Sequence, residues 1–178
     1  MPLKVKIRQS SEDELPAILD IYPLAFPEED LRPLVEELLN TVKNRISLVA
    51  LSARKIIGHA IFTDGYVEGH NQILSLLGPF AVVPNAQRQG VGSTLMLEGK
   101  ALLNRRGCSK ILLLGDPKYY VRHGFVQEEH ISAPYEMPQS WRYAWQGFEF
   151  PGKQQSAGKL ILPEPWMKPD YWMPMDET

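Results

Sequence analysis

The stretch Gln87-Arg88-Gln89-Gly90-Val91-Gly92-Ser93, "QRQGVGS", decides how this 178-residue chain is read. It follows the apolar run "ILSLLGPFAVVP" and precedes "TLMLEGKALLNRRG", so the order is strand, glycine turn, helix. A helix N-terminus exposes amide N–H groups with no internal partner, and its dipole favours an anion. Glycines in such a turn let a ligand approach the backbone, because no Cβ blocks it. Gly90 and Gly92 supply that freedom, Arg88 adds a cation, and the turn holds no acid. A phosphate or pyrophosphate is the natural occupant; tight helix packing is the competing reading of the same two glycines. Two known phosphate turns are excluded. No Gly-Lys-Ser/Thr follows, so this is not a P-loop. The G-x-G-x-x-G pattern fails, since Leu95 stands three residues after Gly92, and the turn lies mid-chain after an apparent hairpin.

Val5 to Gln9 alternates apolar and polar residues, the pattern of a half-buried strand. Ser10, Ser11 and Asp13 can cap the helix after it, with Glu14 placed as the acid of a capping box from Ser11. "ELPAILDIYPLAF" predicts a short helix stopped near Pro23. "EEDLRPLVEELLN" predicts a second, with Leu31, Leu34, Val35, Leu38 and Leu39 at helical spacing and Pro33 in its first turn. "SLVAL" and "IIGHAIF" predict a hairpin around "SARK", and "DGYVEGHN" a polar turn. "QILSLLGPFAVV" is a long strand that must bulge or splay at Gly78-Pro79, because proline cannot donate to a ladder. Ser93 to Arg106 is a helix with Val91, Leu95, Leu102 and Leu103 near one face and Gly107 as its stop. "KILLLG" reads as apolar throughout, a strand covered on both faces. "PKYYVRHGFV" is a short helix ending at Gly124 and leading into a strand. Past residue 132 the pattern weakens. Trp141, Tyr143, Trp145 and Phe148 alternate in a way that allows a strand, and "GKLILP" allows another. The fold class is α/β, a mixed sheet with helices on both faces.

Length fits one domain, and 44% hydrophobic with 22% charged residues fits a soluble globular protein. A net charge of −2 gives no reason to expect nucleic acid or membrane as a partner. No apolar run reaches a membrane span, and "MPLKVKIRQS" lacks the apolar core of a secretory signal. One cysteine, Cys108, excludes an intramolecular disulfide and fits a cytoplasmic location. Nothing in the sequence points to a group that would activate Cys108, so packing is its expected role. His123 and His130 lack a third donor at metal-ligand spacing, so no metal site is expected.

"VVPNAQRQGVGSTLM" resembles motif A of the GCN5-related N-acetyltransferase (GNAT) family, which reads Gln/Arg-x-x-Gly-x-Gly/Ala and is matched by Gln87, Gly90 and Gly92. "LGDPKYYVRHGFV" resembles motif B, an aromatic-Tyr-x-x-x-Gly-Phe element filled by Tyr119, Tyr120, Gly124 and Phe125. The Gly-Asp-Pro before the tyrosines is similar to a bacterial subgroup of the family. The resemblance runs from about residue 4 to 127. It implies a mostly antiparallel central sheet of the acyl-CoA N-acyltransferase fold, splayed at the strand before the glycine turn. It implies one acetyltransferase domain over residues 1–178, with a core at 4–127. The variable segment at 132–178 would supply acceptor-site or dimer elements.

The resemblance also implies acetyl-CoA as cosubstrate, an amine as acceptor and transfer without an acyl-enzyme. The backbone of Phe80, Ala81 and Val82 would meet the pantetheine arm. The amides of Arg88, Gln89, Gly90, Val91, Gly92 and Ser93, beside Gln87, would hold the pyrophosphate, with the Thr94 hydroxyl in reach. Tyr120 matches the tyrosine that acts as general acid to the CoA sulfur, while Tyr119 packs inward. Its phenol is neutral at pH 7, with a pKa near that of a thiol. The general base stays open among Asp116, Glu68, His59, His70, Glu28, Glu29 and a water relay. Aromatic rings in the C-terminal segment either select the acceptor or close the core or a homodimer contact. A non-catalytic acetyl-CoA sensor of the same fold and a nucleotide-binding structural domain are the competing readings.

Overall fold

The computed structural model describes residues 2–173. The chain divides into two compact units, one of residues 1–62 and 77–102, the other of residues 63–76 and 103–178.

The first unit opens with β1 (Lys6–Gln9), antiparallel to β2 (Arg45–Ser52) with Lys6 opposite Leu51 and Arg8 opposite Val49. Between them run α1 (Leu15–Ala25) and α2 (Arg32–Thr41). The capping box is present: the Ser11 amide donates to Glu14 Oε2 at 2.9 Å and the Ser11 side chain answers the Glu14 backbone. A hydrogen bond from Arg8 holds the Glu14 carboxyl down to about 2. The first helix ends at Ala25, two residues past Pro23, which sits inside the last turn and gives Leu19 O no helical N–H donor. α2 begins one residue before Pro33 and buries Leu34, Val35 and Leu38.

β3 (Lys55–Val67) is longer than the sequence suggests. Only Ala53 and Arg54 separate it from β2, both at positive φ (48° and 66°), so "SARK" tightens to a two-residue turn. Asp64 to Val67, expected in a polar turn, extend the strand, and the turn proper is residues 68–69, followed by an irregular stretch to residue 73. β3 also sets the layers. A Cβ at Gly58 would meet Val91 and Leu95 of α3 (Val91–Arg105) at 3.1 Å, while the next residue, His59, bonds Tyr22 of α1. Successive strand residues face opposite sides, so α1 and α3 cover opposite faces. At Gly99 the helix approaches so closely that a Cβ would strike the Phe62 ring. The last strand here is β4 (Leu74–Val82), giving the order β1-β2-β3-β4.

In the second unit β5 (Lys110–Leu114) runs parallel to the start of β4, pairing Leu74, Ser75 and Leu76 with Lys110, Ile111 and Leu112. That ladder ends two residues before Gly78-Pro79, a cis peptide through which β4 continues. α4 (Pro117–Tyr120) comes next, then a 3₁₀ turn to Gly124 at φ 81° and β6 (Val126–Gln127). β7 (Ile131–Ser132), β8 (Trp145–Glu149) and β9 (Gly158–Ile161) lie in the segment whose pattern is weak. β8 inserts between β5 and β6, antiparallel to both, and begins at Trp145; Trp141 and Tyr143 sit in the 3₁₀ stretch before it. β9 pairs antiparallel with the end of β3 and parallel with β7.

β5 is buried as expected, yet it is not wholly apolar. Lys110 is 1% exposed, and its Nζ lies 2.5 Å from Glu128 Oε1. The second Glu128 oxygen accepts from the amides of His130 and Ile131 at 3.0 and 3.1 Å. A buried charge persists only when paired and hydrogen-bonded, and this pair is both. Gly147 leaves it room: a Cβ there would come within 2.8 Å of Glu128 Oε1.

Candidate acetyl-CoA site

In the first unit the far half of β4 keeps one edge without a strand partner among the described residues. The Val83 amide donates to Ile57 O on β3 at 2.9 Å. Backbone groups alternate sides along a strand, so those of Val82 and Phe80 point to the open edge and those of Ala81 toward β3. Of the three residues expected to offer their main chain, Phe80 turns both groups to the open edge, Val82 turns its N–H there while its carbonyl accepts from Gln87, and Ala81 faces β3. Their side chains follow the same alternation, with Ala81 buried and Phe80 and Val82 half-buried.

The turn beyond β4 is braced from within. Gln87 Nε2 donates to Val82 O at 2.9 Å, and Gln89 Nε2 to Asn85 O at 2.8 Å. Both side chains thus fix the loop instead of reaching outward. Arg88 and Gly90 take positive φ (60° and 84°), which turns the chain into α3 with Gly90 open on the side a Cβ would occupy. The first helical bond is Thr94 N–H to Gly90 O at 3.0 Å, and the Thr94 hydroxyl donates to the same oxygen at 2.8 Å. The hydroxyl proton is therefore spent on the cap. The amides of Val91, Gly92 and Ser93 precede that bond and have no intrahelical acceptor. Arg88 is exposed and has no ion-pair partner among the described residues. Three outward amides, a helix dipole and a free guanidinium fit a diphosphate.

In the second unit Tyr120 ends α4. Its ring stacks edge-on against Tyr119 at 4.8 Å and Phe125 at 5.7 Å. The hydroxyl has no hydrogen-bond partner among the described residues. Burial, then Tyr119 and Asp116, push its pKa well above the ordinary phenol value. The acid match to a thiol is therefore looser than in water, and the hydroxyl stays protonated at neutral pH. Gly115 is what seats it: a Cβ there would lie 2.6 Å from Tyr120 Cε2. Asp116 Oδ1 accepts from the Lys118 amide at 3.0 Å as N-cap, and Pro117 opens the helix. The Gly-Asp-Pro triplet thus makes room, caps and starts in turn. The need for Gly115 is visible only in three dimensions.

The candidate bases are dispersed. His59 is fully buried, with Nδ1 2.7 Å from Tyr22 Oη and Nε2 2.8 Å from Ser47 Oγ. Burial lowers its pKa to about 3, with a smaller contribution from Arg45. It is a neutral core histidine with both nitrogens occupied, not a base facing a cleft. Glu68 and His70 are exposed on the turn after β3, and Glu28 and Glu29 on the loop after α1. Cys108 is buried, donates to Lys110 O at 3.3 Å, and is pushed up to about 12 by burial, which makes it an inert thiol. No helix among the described residues is long and apolar enough to cross a membrane.

Residues 15–125 match the sequence profile of the acetyltransferase (GNAT) family. The uncharacterized N-acetyltransferase YjhQ of Escherichia coli strain K12 is 33% identical over 135 residues, covering 72% of this chain and 75% of that protein. Among solved structures, YhbS from Escherichia coli in complex with CoA superposes with a TM-score of 0.83 at 24% identity, covering 94% of each chain. A GNAT acetyltransferase from Brucella melitensis in complex with acetyl-CoA gives 0.74 at 24% identity, over 91% of this chain and 97% of the other. The chain belongs to the GNAT acetyltransferase family, and its mixed, mostly antiparallel sheet is the fold of that family.

Proposed function

We propose that this protein transfers the acetyl group of acetyl-CoA directly to a primary amine of a small molecule or a protein. The observation that carries the reading is the half-paired β4 edge running into an amide-rich turn at the start of α3. Phe80 and Val82 would bond the pantetheine arm through their main chain. Val91 to Ser93 and Arg88 would hold the pyrophosphate, with Gln87 and Gln89 as braces. CoA and acetyl-CoA in the two superposed relatives support this ligand.

In the step itself the neutral amine attacks the thioester carbonyl carbon. A C–N bond forms, the C–S bond breaks, the nitrogen loses its proton and the sulfur leaves as thiolate. The Tyr120 hydroxyl, which the family resemblance assigns to that sulfur, would donate a hydrogen bond to the departing thiolate and keep its own proton, and the thiolate takes a proton from water. With His59 sealed in the core and Asp116 engaged as a cap, the amine proton leaves to water, or the amine enters neutral. The same sequestration of bases favours one alternative, an acetyl-CoA sensor without turnover.

CoA release measured with acetyl-CoA against amino acids, polyamines, aminoglycosides and short peptides separates the two. Turnover with one class establishes the transferase and its acceptor chemistry. Clear acetyl-CoA binding with no release across the panel moves the assignment to sensing.

A further inference from the structure

The first unit holds a second recess, separate from the β4 edge, of about 810 Å³. Its walls are β1, the start of α1 and the tip of the β2–β3 hairpin. The rim carries Lys4, Lys6, Arg54 and Lys55, all exposed. None of the four has a hydrogen-bonded or ion-paired acid among the described residues. Two acids also line the recess, but Glu14 is bound to Arg8 and Asp13 accepts from the Ser11 hydroxyl at 2.5 Å. Beneath the cations the floor is apolar, from Val5, Leu51 and Ile56. The molecule as a whole carries a net −2, so this concentration of positive charge is local.

The hairpin tip adds an independent observation. A two-residue turn with both φ values positive favours Asn-Gly, because a side chain in the left-handed region is strained. Here the positions are Ala53 and Arg54, at 48° and 66°. Glycine would suit position 54 better, so the turn geometry does not account for the arginine. Arg54 lines the recess, and a guanidinium matches phosphate oxygens two at a time.

We infer that this recess is a binding site for a small phosphate-bearing polyanion with an apolar body, distinct from the acetyl-CoA site. Lys4, Lys6, Arg54 and Lys55, with Arg8, outnumber Asp13 and Glu14 in the lining and leave it net positive, and the apolar lining accommodates the apolar part.

Inorganic tripolyphosphate is the probe, titrated into the whole protein by calorimetry at physiological salt. The expected result is saturable binding, weakened about tenfold in Lys6→Gln/Arg54→Gln, with acetyl-CoA binding unchanged by the double substitution. Arg54→Gly is the second variant. It is expected to raise the melting temperature by relieving the turn while weakening tripolyphosphate. Absence of binding, equal binding in both variants, or displacement of tripolyphosphate by acetyl-CoA would each overturn the inference. The last would mean that the anion sits on the α3 turn. Because acetyl-CoA is read in the same experiment, failure of this site is distinguishable from failure of the acetyltransferase reading.

Discussion

A phenol with no partner and a histidine with two show how burial assigns opposite fates to polar groups. The Tyr120 hydroxyl is held by aromatic packing alone, which leaves its proton for a ligand. Replacing Tyr120 by Phe keeps the ring and removes that proton. If the hydroxyl assists the departing sulfur, kcat falls by about 10²-fold, while KM for acetyl-CoA changes little. Steady-state CoA release reads both, and an unchanged kcat would remove Tyr120 from the chemistry. His59 titrates against the fold. Its folded pKa of about 3 lies below the ordinary 6.5, so the unfolded chain binds the proton first. Stability is full above pH 6.5 and is lost as pH falls toward the folded value, with a slope of about 1.4 kcal/mol per pH unit. Between pH 6.5 and 5 that amounts to about 2 kcal/mol. Urea unfolding at the two pH values should show it, and His59→Gln should flatten the difference.

At the scale of elements, the β5–α4 junction depends on one missing methyl group. Gly115 lies under the Tyr120 ring with 2.6 Å between a virtual Cβ and Cε2, and the ring is pinned on its other sides by Tyr119 and Phe125. Gly115→Ala must therefore displace the ring or the start of α4, at about 1–3 kcal/mol. The expected outcome is a lower denaturation midpoint together with a fall in kcat approaching that of Tyr120→Phe. A loss of stability with full activity would show that the ring's position is immaterial to turnover. The need for glycine at position 115 was not legible, because its neighbour across the junction is five positions away and only the folded helix brings it back. What was legible rested on local signals: the glycine turn opening α3, the capping box at Ser11, the tyrosine pair on α4. What was not rested on tertiary partners. Asp64 to Val67 look like a turn until β9 pairs with them. Lys110 looks like the edge of an apolar strand until Glu128 neutralises it. The bracing of the turn by the side chains of Thr94, Gln87 and Gln89 likewise depends on acceptors that only the fold brings within reach.

For the whole molecule, binding energy and folding stability are linked, because acetyl-CoA is expected to bind only the native chain. A net charge of −2 offers no general attraction for a polyanion, so the affinity must come from local geometry: outward amides, the α3 dipole, Arg88 and the open β4 edge. At a hundredfold excess over Kd a ligand stabilises by about 2.7 kcal/mol. At roughly 2–4 °C per kcal/mol for a chain of this size, acetyl-CoA should raise the melting temperature by roughly 5–10 °C. Gly90→Val tests whether the turn is responsible. Gly90 stands at φ 84°, a conformation a β-branched residue rarely takes, so the variant must rebuild the turn, at about 1–2 kcal/mol. Calorimetry of both proteins with and without acetyl-CoA should show a modest drop in the unliganded melting temperature and loss of the ligand-induced rise. A rise that survives in Gly90→Val would place acetyl-CoA elsewhere on the chain. No rise in the unsubstituted protein would leave the family fold intact but remove the ligand on which the proposed chemistry rests.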